Sequence, residues 1–81
     1  MKEIGKVTHY FTNVGVAVVK LSKSLNVGDT IKIEGATTNF EQGVKSIEIE
    51  GKKIKEAKVG DDIGLKVIER VREGDTLYKV S

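Results

Sequence analysis

The chain has 81 residues, 14 basic and 12 acidic side chains, and a formal charge of +2. That length sets the expectation of a single domain over residues 1–81, with about 4,800 Å² exposed when folded against about 12,900 Å² when unfolded. With no cysteine and one histidine, the sequence excludes disulfides, thiolate nucleophiles, Cys-ligated zinc and multi-histidine metal sites.

The longest apolar run, Val16 to Val19, is four residues. No membrane span or signal-peptide core fits in that, so a cytoplasmic protein is expected. Valine, isoleucine and threonine supply 25 residues, leucine and alanine only seven. β-Branched side chains lose χ1 freedom in a helix and pack well on a pleated surface, which favours strands.

In chain order, Lys6 to Thr12 alternates imperfectly, with Val7, His9 and Phe11 on one face and Lys6, Thr8 and Tyr10 on the other. Phe11 is expected in the core and Tyr10 outside it. Gly15 to Leu21 is partly apolar on both faces, as a central strand is. Thr30 to Glu34, Ser46 to Glu50 and Asp62 to Val67 alternate strictly, so each predicts a strand with one wet face. Thr76 to Val80 predicts a last short strand. Residues 35–43 read as a loop, and no stretch carries a sustained helical stripe.

Three segments share one pattern: Val27-Gly28-Asp29, Val59-Gly60-Asp61 and Glu73-Gly74-Asp75, each leading into a strand. Glycine supplies φ > 0 and aspartate is expected to bind backbone N–H groups just beyond the turn. Their unequal spacing rules out a solenoid period. Six or so short strands with no proline to guard an edge predict an all-β fold, closed into a small Greek-key barrel.

Catalysis finds little support. His9 is the one histidine and sits in a predicted strand without a nucleophile elbow. Asp61 and Asp62 are adjacent, so on a strand they point apart and cannot act as a glycosidase pair. Gly35 to Ser46 has seven residues between its glycines, and Val44 precedes the lysine. A phosphate loop needs four, with lysine directly after the second glycine. No enzyme, nucleotide, metal or cofactor is expected.

Binding is the remaining class. Lys20, Lys23, Lys32 and Lys45 lie in a stretch with few acids, and Lys52, Lys53 and Lys55 cluster in a predicted hairpin. The hairpin lysines either pair with Glu48, Glu50 and Glu56 across strands or form a phosphate-binding patch. Tyr10 is the candidate exposed ring. Phe40, in the polar stretch Thr37 to Gln42, either plugs one end of a barrel or stacks on a partner.

The order of these pieces resembles a known family. Gly5-Lys6-Val7 followed by Leu25-Asn26-Val27-Gly28-Asp29-Thr30-Ile31-Lys32-Ile33-Glu34-Gly35 is similar to the second domain of translational GTPases. Ala57-Lys58-Val59-Gly60-Asp61-Asp62-Ile63-Gly64-Leu65 and Val71 to Leu77 resemble its later segments. The resemblance is to stand-alone translation elongation factor-like proteins and implies a closed barrel of about six strands without GTPase activity. It implies tRNA or ribosomal RNA as partner; the lysines and rings named above are candidates for such a contact from the residues alone. The family's contact residues do not carry over, because Ser22-Lys23-Ser24 and Thr37 to Gln42 differ from its loops. A similar barrel ends some collagenase-like peptidases, where it is regarded as a substrate- or partner-binding module. The alternative expectation is therefore a protein-interaction accessory module.

Overall fold

The computed structural model describes residues 2–80. Among them are ten strands and no helix: β1 (Lys2–Phe11), β2 (Val16–Leu21), β3 (Leu25–Asn26), β4 (Thr30–Glu34), β5 (Asn39–Gly43), β6 (Ile47–Ile49), β7 (Lys52–Ile54), β8 (Glu56–Ala57), β9 (Asp62–Lys66) and β10 (Thr76–Lys79). No helix is therefore long and apolar enough to cross a membrane. Eight strands form one antiparallel sheet in the order β5-β4-β10-β1-β2-β9-β6-β7, and β3 pairs with β8.

The all-β expectation holds, but the closed barrel does not. The sheet ends at β5 on one side and β7 on the other, with no backbone ladder between them. β7 is only three residues long and carries Lys52 and Lys53, so it is a short, charged edge of the kind that resists adding strands. β5 falls inside the predicted loop. Its residues, Asn39-Phe40-Glu41-Gln42-Gly43, have poor strand propensity, yet all five pair with β4. Tertiary pairing overrides local preference here.

Alternation builds the core. Ile31 and Ile33 of β4, Ile63 and Leu65 of β9, Val19 of β2 and Leu77 of β10 are all fully or almost fully buried in one cluster. Their neighbours along each strand face out. Total exposed area is 4907 Å², close to the value length alone predicts.

β1 breaks the alternation. Its register with β2 shifts between Val7 and His9, a bulge that leaves Thr8 without an opposite residue. The extra residue exchanges the faces of everything beyond it. Tyr10 consequently packs against the core and Phe11 stands 49% exposed. This reverses both sequence expectations for the two rings.

The three Gly-Asp segments fold alike. Gly28, Gly60 and Gly74 have φ of 101°, 89° and 92°, as the third position of a type II turn requires. The aspartate reaches backwards, however, not forwards. Asp29, Asp61 and Asp75 accept from the backbone N–H groups of Asn26, Lys58 and Arg72 at 2.9, 2.8 and 2.8 Å. Each turn is thereby clasped at its start. Asp75 is buried, and a Cβ placed on Gly35 would overlap its Oδ1. Gly5 is similarly tight: a Cβ there would lie 2.7 Å from the Lys20 carbonyl oxygen.

Two stability predictions follow from these contacts. Gly35→Ala should cost about 1–3 kcal/mol through overpacking, whereas Gly43→Ala, with open space around its Cβ, should stay within about 0.5 kcal/mol. Urea unfolding with equal losses would contradict the packing at Asp75. Asp75→Ala should cost about 1–3 kcal/mol, because it removes the buried carboxylate that accepts the part-buried bond from Arg72 N–H. The more exposed Asp61→Ala should lose less, and a reversed order in thermal melts would refute the ranking.

Candidate functional site

The lysines singled out in the sequence do not converge. Lys20, on β2, meets Asp62 of the adjacent β9 at 3.7 Å. Lys32, half-buried on β4, meets Glu34 at 3.6 Å. Lys53 lies opposite Glu48 and Lys52 opposite Ile49 in the β6–β7 hairpin, and Lys55 follows β7. Lys23 is in the turn after β2, where its N–H donates to the Ile4 carbonyl at 3.3 Å. Lys45 is exposed in the link between β5 and β6. Lys20 and Lys32 are thus each paired with a carboxylate, while Lys53 stands in register with Glu48, and such exposed pairs contribute little to stability.

Phe40 is 8% exposed and sits opposite Ile33. It is a core side chain, so its stacking role is withdrawn; the strand that the sequence hides turns it inward. Tyr10 is half-buried beside Thr12 and residues 70–73 in a shallow cleft of about 270 Å³. Next to it the His9 ring meets Phe11 edge to face with centroids 4.4 Å apart, and His9 Nδ1 lies 3.5 Å from a Glu73 oxygen.

A second feature was not visible in the sequence. β6 pairs with β9 at Ile47–Leu65 and Glu48–Gly64. One step further would set Ser46 against Lys66. Instead the chain leaves at Val44, whose C=O accepts from Gly28 N–H and whose N–H donates to the Asp29 carbonyl, both at 2.8 Å. The β9 edge thus runs on past its strand partner. Gln42 fills the gap: its Nε2 donates to the Lys66 carbonyl at 2.9 Å, and its Oε1 accepts from Ile68 N–H at 2.8 Å. A side-chain amide has the donor and acceptor of a peptide group, so Gln42 pairs with residues 66–68 as a strand would.

Around this seam is a cleft of about 460 Å³ lined by Gln42, Gly43, Lys45, Ser46, Lys66 and Ile68. That volume lies in the usual range of small-ligand sites, about 300–1,000 Å³. Ile68 is 68% exposed and Val14, in the β1–β2 turn, 53%. Two bonds hold that turn at the same end of the sheet: Lys66 Nζ donates to the Val14 carbonyl at 2.7 Å, and Val67 N–H to the Gly15 carbonyl at 3.0 Å. Ile68, on the cleft, and Val14, in the tied-down turn, are thus two exposed apolar side chains at the end of the sheet that carries the seam. Nothing in the sequence marks Gln42, since its partners are 24 and 26 residues away.

No family model matches the chain. It is 44% identical over 77 residues to an uncharacterized protease of Methanocaldococcus jannaschii, covering 94% of this chain and 19% of that protein. It is 38% identical over 78 residues to a collagenase of Porphyromonas gingivalis, covering 94% of this chain and 22% of that protein. The chain thus spans about a fifth of the length of the curated relatives it matches. Its fold matches the C-terminal domain of a Geobacillus thermoleovorans protein assigned to the U32 peptidases, with a TM-score of 0.93 over 99% of this chain and 93% of that one, at 23% identity.

These relatives correct the translation-factor resemblance. Proteases and collagenases match nearly the whole chain, so the elongation-factor identity and the RNA-binding role drawn from it are set aside. The motifs that carried it centre on the Gly-Asp turns, and the clasp geometry explains those turns without any translation role.

The reassigned rings give a direct test. Phe40→Ala should cost about 3–5 kcal/mol, as buried phenylalanine truncations do. Phe11→Ala should change stability by no more than about 1 kcal/mol. Chemical denaturation showing comparable losses at both positions would contradict the bulge in β1.

Proposed function

We propose that this chain is a non-catalytic accessory module of a U32-type, collagenase-like peptidase, engaging polypeptide and supporting the catalytic part of such an enzyme. The observation that carries the reading is double. The sequence is 44% identical to a fifth-length segment of a protease, and the fold is that of a U32 peptidase C-terminal domain. The chemistry of the chain agrees with this division of labour. It has no cysteine, its one histidine is engaged with Phe11 and Glu73, and its open cleft is bordered by backbone groups suited to a polypeptide.

The test uses the Methanocaldococcus jannaschii protease. Deleting its matched segment should reduce hydrolysis of gelatin far more than hydrolysis of a short chromogenic peptide, because a long substrate needs more contacts than the catalytic part provides. Placing this 81-residue chain in that position should restore gelatin hydrolysis. Unimpaired gelatin hydrolysis by the deletion variant, or a folded chimera that restores nothing, would refute the module reading.

A further inference from the structure

We propose that the seam between Gln42 and residues 66–68 is a receptor for a short extended peptide, which adds to the β9 edge by displacing the Gln42 amide. The proposal rests on the peptidase-module reading only for the source of the peptide, a segment of the enzyme's polypeptide substrate.

The argument begins with the edge. Backbone groups of successive strand residues point to opposite sides. Val67 N–H points to Gly15 and completes the β2 side. Lys66 C=O and Ile68 N–H point the other way, where β6 no longer runs. β9 ends at Lys66, and the Val67–Gly15 bond carries its pairing one step further; an edge left without a backbone partner is a template for another chain. Here it is neither covered by backbone nor blocked by proline. A single side-chain amide satisfies it, through one donated and one accepted bond of ordinary length.

That arrangement is exchangeable. An incoming extended strand offers a donor and an acceptor to the same two atoms through the N–H and C=O of one residue, which point to the same side of the strand, so the exchange leaves neither group unpaired. Gln42 is half-exposed and can turn its amide to water. The peptide gains further contact on Ile68, whose side chain is two-thirds exposed. It also meets Lys45, which makes no ion pair among the described residues and lies at the cleft wall. Backbone pairing thus supplies affinity, and an apolar residue followed by an acidic one supplies preference, the division found in β-strand addition. Lys66 does not add to the preference, because its amine is held by the Val14 carbonyl.

The shallow cleft beside Tyr10 carries no equivalent. Its walls carry Arg70, Arg72 and Glu73, and the side-chain amide that stands in for a strand is Gln42's, at the other cleft. The β7 edge is three residues long with two lysines. The β9 prolongation is the edge with both a cleft and a displaceable surrogate.

The experiment is an NMR titration of the ¹⁵N-labelled 81-residue chain with the capped peptide Ac-EVTVE-NH₂. Its counterpart is the same peptide N-methylated at the central residue, which cannot donate there. The expected result is saturable shifts confined to Ile68 N–H, the Gln42 side-chain amide and their neighbours, with the N-methylated peptide losing most of its affinity. Gln42→Ala removes the competing amide and should bind at least about threefold tighter, since less of the edge is then occupied. Absence of saturable shifts at Ile68, shifts centred on β7, equal binding of the N-methylated peptide, or unchanged affinity in a folded Gln42→Ala protein would each overturn the proposal. Should that variant not fold, the two peptides on the native chain decide. Peptide binding on the isolated chain with no rescue by the protease chimera would leave this site standing and remove the module reading; rescue without peptide binding would do the reverse.

Discussion

One small constraint governs this molecule: the sheet runs out before it closes. Eight strands wrap a single core, but β5 and β7 share no ladder. The chain between β5 and β6 turns away at Val44 to extend the β4 pairing. Left alone, the backbone of residues 66–68 would face a gap. The amide of Gln42 spans it with two hydrogen bonds. The rest of the end of the sheet is organised around that join: the cleft beside it, the Lys66 amine tying down the β1–β2 turn, and the exposed Ile68. Each bond is worth only about 0.5–1.5 kcal/mol net. A join that weak is stable enough to shape the surface and weak enough to be exchanged.

Function enters through what such a surface suits. A polar backbone edge next to exposed aliphatic side chains fits an extended polypeptide better than a nucleic acid, which needs uncompensated cations on one face. The lysines singled out in the sequence are spread over β2, β4, the β5–β6 link and the β6–β7 hairpin, and several lie against acids. This agrees with relatives that are a protease and a collagenase, and with a fold found at the C-terminal end of a U32 peptidase.

Much of the fold is legible in the sequence, for physical reasons that also explain what is hidden. Thr30-Ile31-Lys32-Ile33-Glu34 and Asp62 to Lys66 alternate because one face of each strand is wet, and both are strands with the expected residues buried. The Gly-Asp turns are readable because φ > 0 nearly demands glycine there. β5 is not, since its partner β4 and the inward face of Phe40 stabilise it, rather than its own composition. The bulge at Thr8 has no glycine to announce it, and one inserted residue was enough to exchange Tyr10 and Phe11. The site was the least legible part. Gln42 acts through residues distant in sequence, and no local pattern distinguishes it from any polar loop residue. The same locality misled the family comparison, because turn motifs record turn chemistry and not the partner of the fold.

Hydrogen exchange at two neighbouring amides tests the central claim most directly. Ile68 N–H should be protected in the native protein by Gln42 Oε1, and Val67 N–H by the Gly15 carbonyl. In Gln42→Ala the account predicts that Ile68 loses its protection while Val67 keeps it. Fast exchange of Ile68 in the native chain, or protection of Ile68 that survives the substitution, would contradict a sheet joined at this seam by a side-chain amide.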